Sequence, residues 1–403
     1  MAFFALVYVV EGLGQTGGLI AQPLNYFLKE QYGWTPVQVT AYLTVLNFPW
    51  IIKPVYGIVS DFIPLFGYRR KAYLVIANGA AAAAYFWVAS LTAPGEILFA
   101  LLLTAYAMAA SSTLSGAVLV ENGQRLGVSD TFVNQEWLWF NVAAVASALL
   151  GGTLVEHLSP AGALHTAAMI VGVAPFLAIF GSLFLISEQR SHADLAQLKG
   201  TFRALLASLR RRELWLVGGF LFLYSFNPGF GTPLYYYMTD ELRFSQQFIG
   251  ILGAVSSGGW IAGALIYRWG LRGMTSTALL YLSIACGVAA TLLFLLLADP
   301  VAALLINFAA GIAGMISMVA SLTLAADFCP PRSEGFTVAA LLSLSNLAMS
   351  LGDNIGSLLF EHVFANHLAP LILVSAAGTA IAAPFVPLLR LGGKRHGEAA
   401  TVT

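Results

Sequence analysis

Charged residues are scarce in this chain. They make up 9% of its 403 residues, against a hydrophobic share of 59% and a mean hydropathy of +0.80. A soluble domain carries roughly 25% charge, so most of this chain cannot face water. The formal net charge is zero, which excludes the basic footprint of a nucleic-acid-binding protein. Cysteine is nearly absent: Cys286 and Cys329 lack the spacing of a disulfide framework or metal centre and read as packing residues. All six histidines (His157, His165, His192, His362, His367 and His396) fall at the ends of apolar runs or in loops. No metal site is implied, and protons carried inside a membrane would have to ride on carboxylates. There is no Gly-x-x-x-x-Gly-Lys-Ser/Thr phosphate loop, no His-Glu-x-x-His and no nucleophile elbow, which excludes an ATP-driven pump and the common hydrolases. No cofactor is implied. No cleavable leader is evident, since the first apolar run starts at once and continues past residue 20.

What the chain has instead is length without polarity. A spanning helix needs about 20 mostly apolar residues. Twelve runs qualify: 3–28, 36–60, 72–92, 95–121, 131–155, 162–187, 214–238, 246–268, 275–297, 300–326, 334–360 and 366–390. The predicted fold class is an all-α membrane protein. Of the 19 cations, 16 fall on one side of these runs and 2, Lys29 and Arg243, on the other, with Lys53 inside a run. That asymmetry orients both termini to the cytoplasm. The long connection 188–213 divides the runs six and six. Its Leu195, Leu198, Phe202, Leu205, Leu206 and Leu209 recur at helical spacing among cations, the pattern of an amphipathic helix on the cytoplasmic surface. The expected organisation is a six-helix bundle over 1–187, a linker over 188–213, a second bundle over 214–390 and a short cytoplasmic tail over 391–403. Weak echoes at matching runs, such as Glu121 and Arg125 beside Asp327 and Arg332, fit an internal repeat.

Charges inside the runs are costly and therefore informative. Glu11, Lys53, Glu121, Glu136, Asp327 and Asp353 lie in runs 1, 2, 4, 5, 10 and 11. Measured from the cytoplasmic ends at 1.5 Å per residue, Glu11 sits roughly 12 Å deep and Lys53 about 10 Å deep, so the two can meet. One reading is a fixed ion pair joining runs 1 and 2. The other is that Lys53 receives a substrate carboxylate while Glu11 exchanges a proton. Glu136 lies about 8 Å inside run 5. Asp353 shares a polar stripe with Asn346, Ser350 and Asn354, a stripe expected to face water rather than lipid. Asp353, Glu11 and Glu136 are the candidate proton-coupling carboxylates. In run 7, Pro228, Gly229 and Pro233 should break the helix. Tyr224 and Phe226 beside that break could stack on a flat heterocycle, and Tyr235 to Tyr237 should form an interfacial belt. Gln15 and Asn47 are candidate hydrogen-bonding ligands from the first half.

The most specific stretch is Pro49 to Lys71, PWIIKPVYGIVSDFIPLFGYRRK. Gly57-x-x-x-Asp61 followed by Gly67-x-Arg69-Arg70 resembles the signature of the major facilitator superfamily. Its lengthening by Phe62 to Phe66, with Pro49-Trp50 and Lys53-Pro54 ahead of it, resembles the folate–biopterin transporter family. Tyr26-Phe27-Leu28-Lys29, Leu119-Val120-Glu121, Asn134-Gln135, Cys329-Pro330 with Glu334, and Leu342 to Leu347 are similar to that family as well, so the resemblance covers nearly the whole chain. Two positions depart from it. Many members carry Asp-Ala where this chain reads Gly116-Ala117, and glutamine is expected where Glu11 stands.

The resemblance implies the major facilitator fold, with twelve transmembrane helices in two six-helix bundles. It implies a secondary active transporter, working as a monomer in a bacterial-type inner membrane. The solute would be folate- or pterin-like, moved by alternating access with proton coupling. Asp61, Arg69, Arg70, Glu121, Arg125, Asp327 and Arg332 would form a cytoplasmic gate, with Asp61 capping the start of run 11. The Gly116 departure motivates the alternative solutes: another organic anion, or a nucleoside-like or muropeptide-like molecule. A polytopic membrane enzyme would need clustered nucleophiles or metal ligands near one membrane face, which the sequence does not offer.

Overall fold

Every one of the twelve apolar runs folds as helix. The computed structural model describes residues 1–126, 129–188, 190, 212–328 and 334–389. Most of the 188–213 connection with its leucine pattern, Arg332, and the tail 391–403 lie outside the described residues. Among those described there is no strand beyond one isolated bridge between Leu65 and Tyr68. Nine helices among them are long and apolar enough to cross a membrane. The other three runs are the third, an 18-residue helix that carries Lys71 and Asn78, and the first and seventh, which are interrupted.

The interruptions follow from local chemistry. Run 1 forms α1 (Ala2–Gly14), loses its helix through Gln15-Thr16-Gly17-Gly18, and resumes as α2 (Ala21–Tyr26). Run 2 forms α3 (Pro36–Ile51) and α4 (Lys53–Phe62), kinked at Ile52. Pro54 has no N–H for the carbonyl four residues back, and Pro49 imposes the same loss one turn earlier. The next runs are α5 (Lys71–Val88), α6 (Pro94–Leu126) and α7 (Ser129–His157), with run 6 split by Pro175 into α8 (Pro160–Val173) and α9 (Pro175–Phe184). Run 7 breaks at Pro228 and Gly229 as expected, between α10 (Arg212–Ser225) and α11 (Gly231–Tyr236), whereas Pro233 is accommodated in the first turn of α11. Then follow α12 (Gln246–Ile266), α13 (Ser276–Leu293), α14 (Pro300–Asp327), α15 (Glu334–Leu358) and α16 (Leu368–Ala380). Runs 1 and 7 share more than a break: each ends in one π-helical turn, Phe27–Gln31 and Tyr237–Glu241.

The chain forms two compact units, Met1–Thr201 with Ser245–Ala254, and Phe202–Phe244 with Val255–Thr403. In the first, α1 packs on α7 and α9, and α5 on α6. Lipid tails give helices no hydrophobic reason to associate, so close approach at small residues carries the packing. A Cβ at Gly12 would stand 2.7 Å from both the Ala143 side chain and the Phe140 carbonyl. The Ser245–Ala254 segment is held in this unit by Gln22, whose amide donates to the Gln246 carbonyl at 2.7 Å, and by Glu156, which accepts from the Gln247 amide at 3.0 Å. The second unit is built around Val217, Leu221, Leu279, Leu280, Ile316 and Leu324. Tyr235 and Tyr236 are buried there rather than standing in an interfacial belt.

Candidate functional site

The kink in run 2 places Lys53 as the first residue of α4, turned toward α6 and α1. Its ammonium donates to the Ser112 hydroxyl at 3.1 Å, and that hydroxyl donates to Glu11 Oε1 at 2.7 Å. One α6 serine therefore joins the charges of runs 1 and 2. On its other side Lys53 Nζ lies 4.4 Å from the centre of the Trp50 ring, a cation–π contact that offsets part of its desolvation. Glu136 of α7 and Tyr8 of α1 share the electrostatic neighbourhood of Glu11. Two carboxylates thus accompany one ammonium. Gln15 stands in the neighbouring break of run 1, and Asn47 of α3 is bonded to that break. The Thr16 hydroxyl donates to Asn47 Oδ1 at 3.0 Å, and the Tyr85 hydroxyl donates to the Gly14 carbonyl that the break has freed.

One turn along α6 from Ser112 stands Gly116. A Cβ there would meet nothing within 4 Å. The position where many relatives were expected to carry an acid is therefore open space on the Ser112 side of the helix.

The predicted gate residues of the first unit come together at the other end of α4. Leu65 and Tyr68 exchange main-chain hydrogen bonds of 3.0 and 2.9 Å, with Phe66 and Gly67 at φ 53° and 82°. This is a two-residue hairpin with both central residues left-handed, and Gly67 supplies one of them without steric cost. The hairpin returns the chain to α5 with Arg70 buried. The Arg70 guanidinium donates to Ser60, Asp61 and Glu121, the last at 2.8 Å, and Arg69 donates to Asp61 at 3.1 Å. Arg125 donates instead to Asn122, at 2.9 Å. Glu188, which sequence reasoning passed over, accepts from the main-chain amides of Arg69 at 2.7 Å, Arg70 at 3.0 Å and Lys71 at 2.8 Å. A carboxylate on the free amides of a helix start is favoured by hydrogen bonding and by the helix dipole.

In the second unit the break in run 7 lies against small residues of α15 and α16. The Gly229 amide donates to the Gly352 carbonyl at 3.1 Å, and Asn227 donates to Thr379 at 3.2 Å. A Cβ on Gly356 would collide with the Gly229 carbonyl oxygen, so only glycine permits this approach. Asp353 leans on the same segment: its Oδ1 fills the place where a Gly229 Cβ would stand. The structure separates the two aromatic candidates. Tyr224 is buried in the core, stacks on Phe220 and donates to Ser283 at 3.0 Å. Phe226 is half-buried at the start of the break, stacked on Phe222 at 5.7 Å. Asn346 is half-buried on α15, and Asp327 accepts from Ser276 at 2.5 Å. Among the described residues no group of three or more His, Cys, Asp or Glu side chains could hold a metal ion.

The BT1 family matches residues 13–391. The chain belongs to the BT1 family. It is 29% identical over 410 residues to a protein of Synechocystis named folate-biopterin transporter, covering 96% of this chain and 81% of that one. Among solved structures it is similar to a point mutant of the nucleoside transporter NupG, with a TM-score of 0.75 at 16% identity over 96% of this chain and 98% of that one. The D-xylose-proton symporter gives 0.71 at 12% identity, over 95% and 96% of the two chains. At those identities the likeness is one of fold. This member of the BT1 family is accordingly a multi-pass membrane transporter with the major facilitator fold, and its family is one of transporters rather than enzymes.

Proposed function

We propose that this transporter moves a folate- or pterin-like organic solute across a bacterial-type inner membrane by alternating access, coupled to protons. Both termini are cytoplasmic in this reading, and the working unit is a monomer. The observation that carries it is the Lys53–Ser112–Glu11 chain. An ammonium held by a hydroxyl and an aromatic face is poised to accept a solute carboxylate. Glu11 and Glu136 leave one carboxylate in excess of Lys53, and a proton taken up with the solute balances it. Asp353 and Asn346 are further polar candidates for the solute, Phe226 a stacking surface, and Gln15 and Asn47 further hydrogen-bonding groups. Asp61, Arg69, Arg70 and Glu121, with Arg125, Asp327 and Arg332, act as the cytoplasmic gate. The name of the Synechocystis relative supports the solute class.

Uptake of labelled folate and pterin into vesicles carrying the protein, with and without an inward-directed proton gradient (acid outside), tests the reading. Uptake should rise with the gradient and fall in Lys53→Ala and Asp353→Asn. Wild-type rates in both variants across the pH range would reject the site. The open space at Gly116 favours one second reading, in which the solute is another organic anion or a nucleoside-like or muropeptide-like molecule. A thermal-shift screen of purified protein with pterins, folates, nucleosides and sugars separates the two.

A further inference from the structure

Asp353 sits inside a membrane helix, yet the residue is exposed at the helix surface, and among the described residues it has no hydrogen-bond or ion-pair partner. Its exposure is not exposure to lipid. At about 100° per residue, Leu351, Ile355 and Leu358 mark one exposed, wholly apolar face of α15. Asp353 and Met349 mark another, roughly opposite. Buried Ala348, Gly352 and Gly356 separate the two faces on one side, and buried Ser343, Ser350 and Ser357 on the other. The carboxylate also rests against Gly229 in the break of run 7, where any side chain would displace it. A carboxylate is an acceptor with two oxygens and no donor. Left alone inside a membrane protein it is costly, which makes a bound partner the default expectation.

We propose that Asp353 reads the edge of the solute's ring by accepting two parallel N–H bonds, from N3–H and from the adjacent 2-amino group of a 2-amino-4-oxopyrimidine. This rests on the pteridine reading above and deepens it. Pterin and folate both present N3–H and the 2-amino group as coplanar donors at guanidinium-like spacing, the pattern that a carboxylate accepts in fork geometry. Lumazine has the same bicyclic ring but a carbonyl at position 2, so its edge is donor–acceptor. One Asp353 oxygen would then face the carbonyl oxygen with no proton between them. The fork therefore makes Asp353 a specificity residue rather than a general polar contact. Asparagine in its place offers one acceptor and one donor, the complement of the lumazine edge and not of the pterin edge.

The test is calorimetric binding of pterin and of lumazine to the full-length protein in lipid nanodiscs, wild type and Asp353→Asn. The wild type should favour pterin by roughly tenfold or more, since a site built for a donor rejects analogues that lack it. Asp353→Asn, which keeps the side-chain volume, should reverse the order. Equal wild-type affinities for the two rings overturn the proposal without help from any variant. Equal loss of both in Asp353→Asn also overturns it, because a merely structural carboxylate would behave that way. Failure of the wild type to bind either ring rejects the pteridine reading itself, and is thereby distinguishable from failure of the fork.

Discussion

The charges of Glu11 and Lys53 should depend on each other, and a double-mutant cycle measures by how much. Ser112 stands between them, 3.1 Å from the ammonium and 2.7 Å from the carboxylate. The charges are then no more than about 6 Å apart, which gives a coupling of about 3 kcal/mol at an effective dielectric near 20. Lys53→Met leaves Glu11 in the membrane without its counter-charge, and Glu11→Gln does the same to Lys53; each should destabilise. The double variant removes both charges and should be about 3 kcal/mol more stable than the sum of the two losses predicts. Glu136 is present in every arm of the cycle, so its own interactions largely cancel. Equilibrium unfolding in mixed detergent–SDS micelles supplies the four free energies. Additivity within about 0.5 kcal/mol would show that the two charges do not interact and would refute the bridged arrangement.

Gly356→Ala should cost roughly 1–3 kcal/mol by overpacking, because its methyl would strike the Gly229 carbonyl; an unchanged unfolding midpoint would mean that the break does not rest there. Glu188→Ala deprives three amides at the start of α5 of their acceptor. It should lower stability by about 1–2 kcal/mol and speed hydrogen exchange at residues 69–71, and unaltered exchange there argues against the cap. Gly116→Ala should be neutral or stabilising by up to about 1 kcal/mol, since alanine favours helix and the space beside Gly116 is free; a clear loss of stability would mean that the space is filled.

How much of this was legible beforehand depended on how costly each residue is out of place. Charges in apolar runs stand out, so Lys53, Glu11, Glu136 and Asp353 were found from sequence, and so were the twelve runs. The break in run 7 was legible because Pro228 cannot donate to a helix. Its counterpart in run 1 was not, since glycines such as Gly17 and Gly18 are common in unbroken membrane helices. Ser112 gave no signal because membrane hydroxyls usually satisfy themselves on their own helix, as Thr113 does by donating to the Ala109 carbonyl at 2.8 Å. Tyr224 and Phe226 were equivalent in sequence, but residues two apart point to different sides of a helix. One went into the core and the other to the break. Glu188 lies more than a hundred residues from the amides it caps, and no local pattern announces such a pairing.

The two units carry related backbones but unlike chemistry. Runs 1 and 7 break at similar positions along their length and end in the same kind of turn, yet the first unit carries an ammonium bridged to Glu11 and the second a carboxylate with no partner among the described residues. Folate differs at its two ends, with a donor-rich ring at one and carboxylates at the other. Pterin has the ring alone. If Lys53 serves the carboxylates, Lys53→Met should weaken folate binding by roughly ten- to hundredfold, the loss of one charge-assisted contact. Pterin affinity should stay near the wild-type value, which also controls for misfolding. Calorimetry on the same nanodisc preparation reads both. Equal losses for folate and pterin would mean that Lys53 supports the fold or the ring site and would withdraw the carboxylate from it.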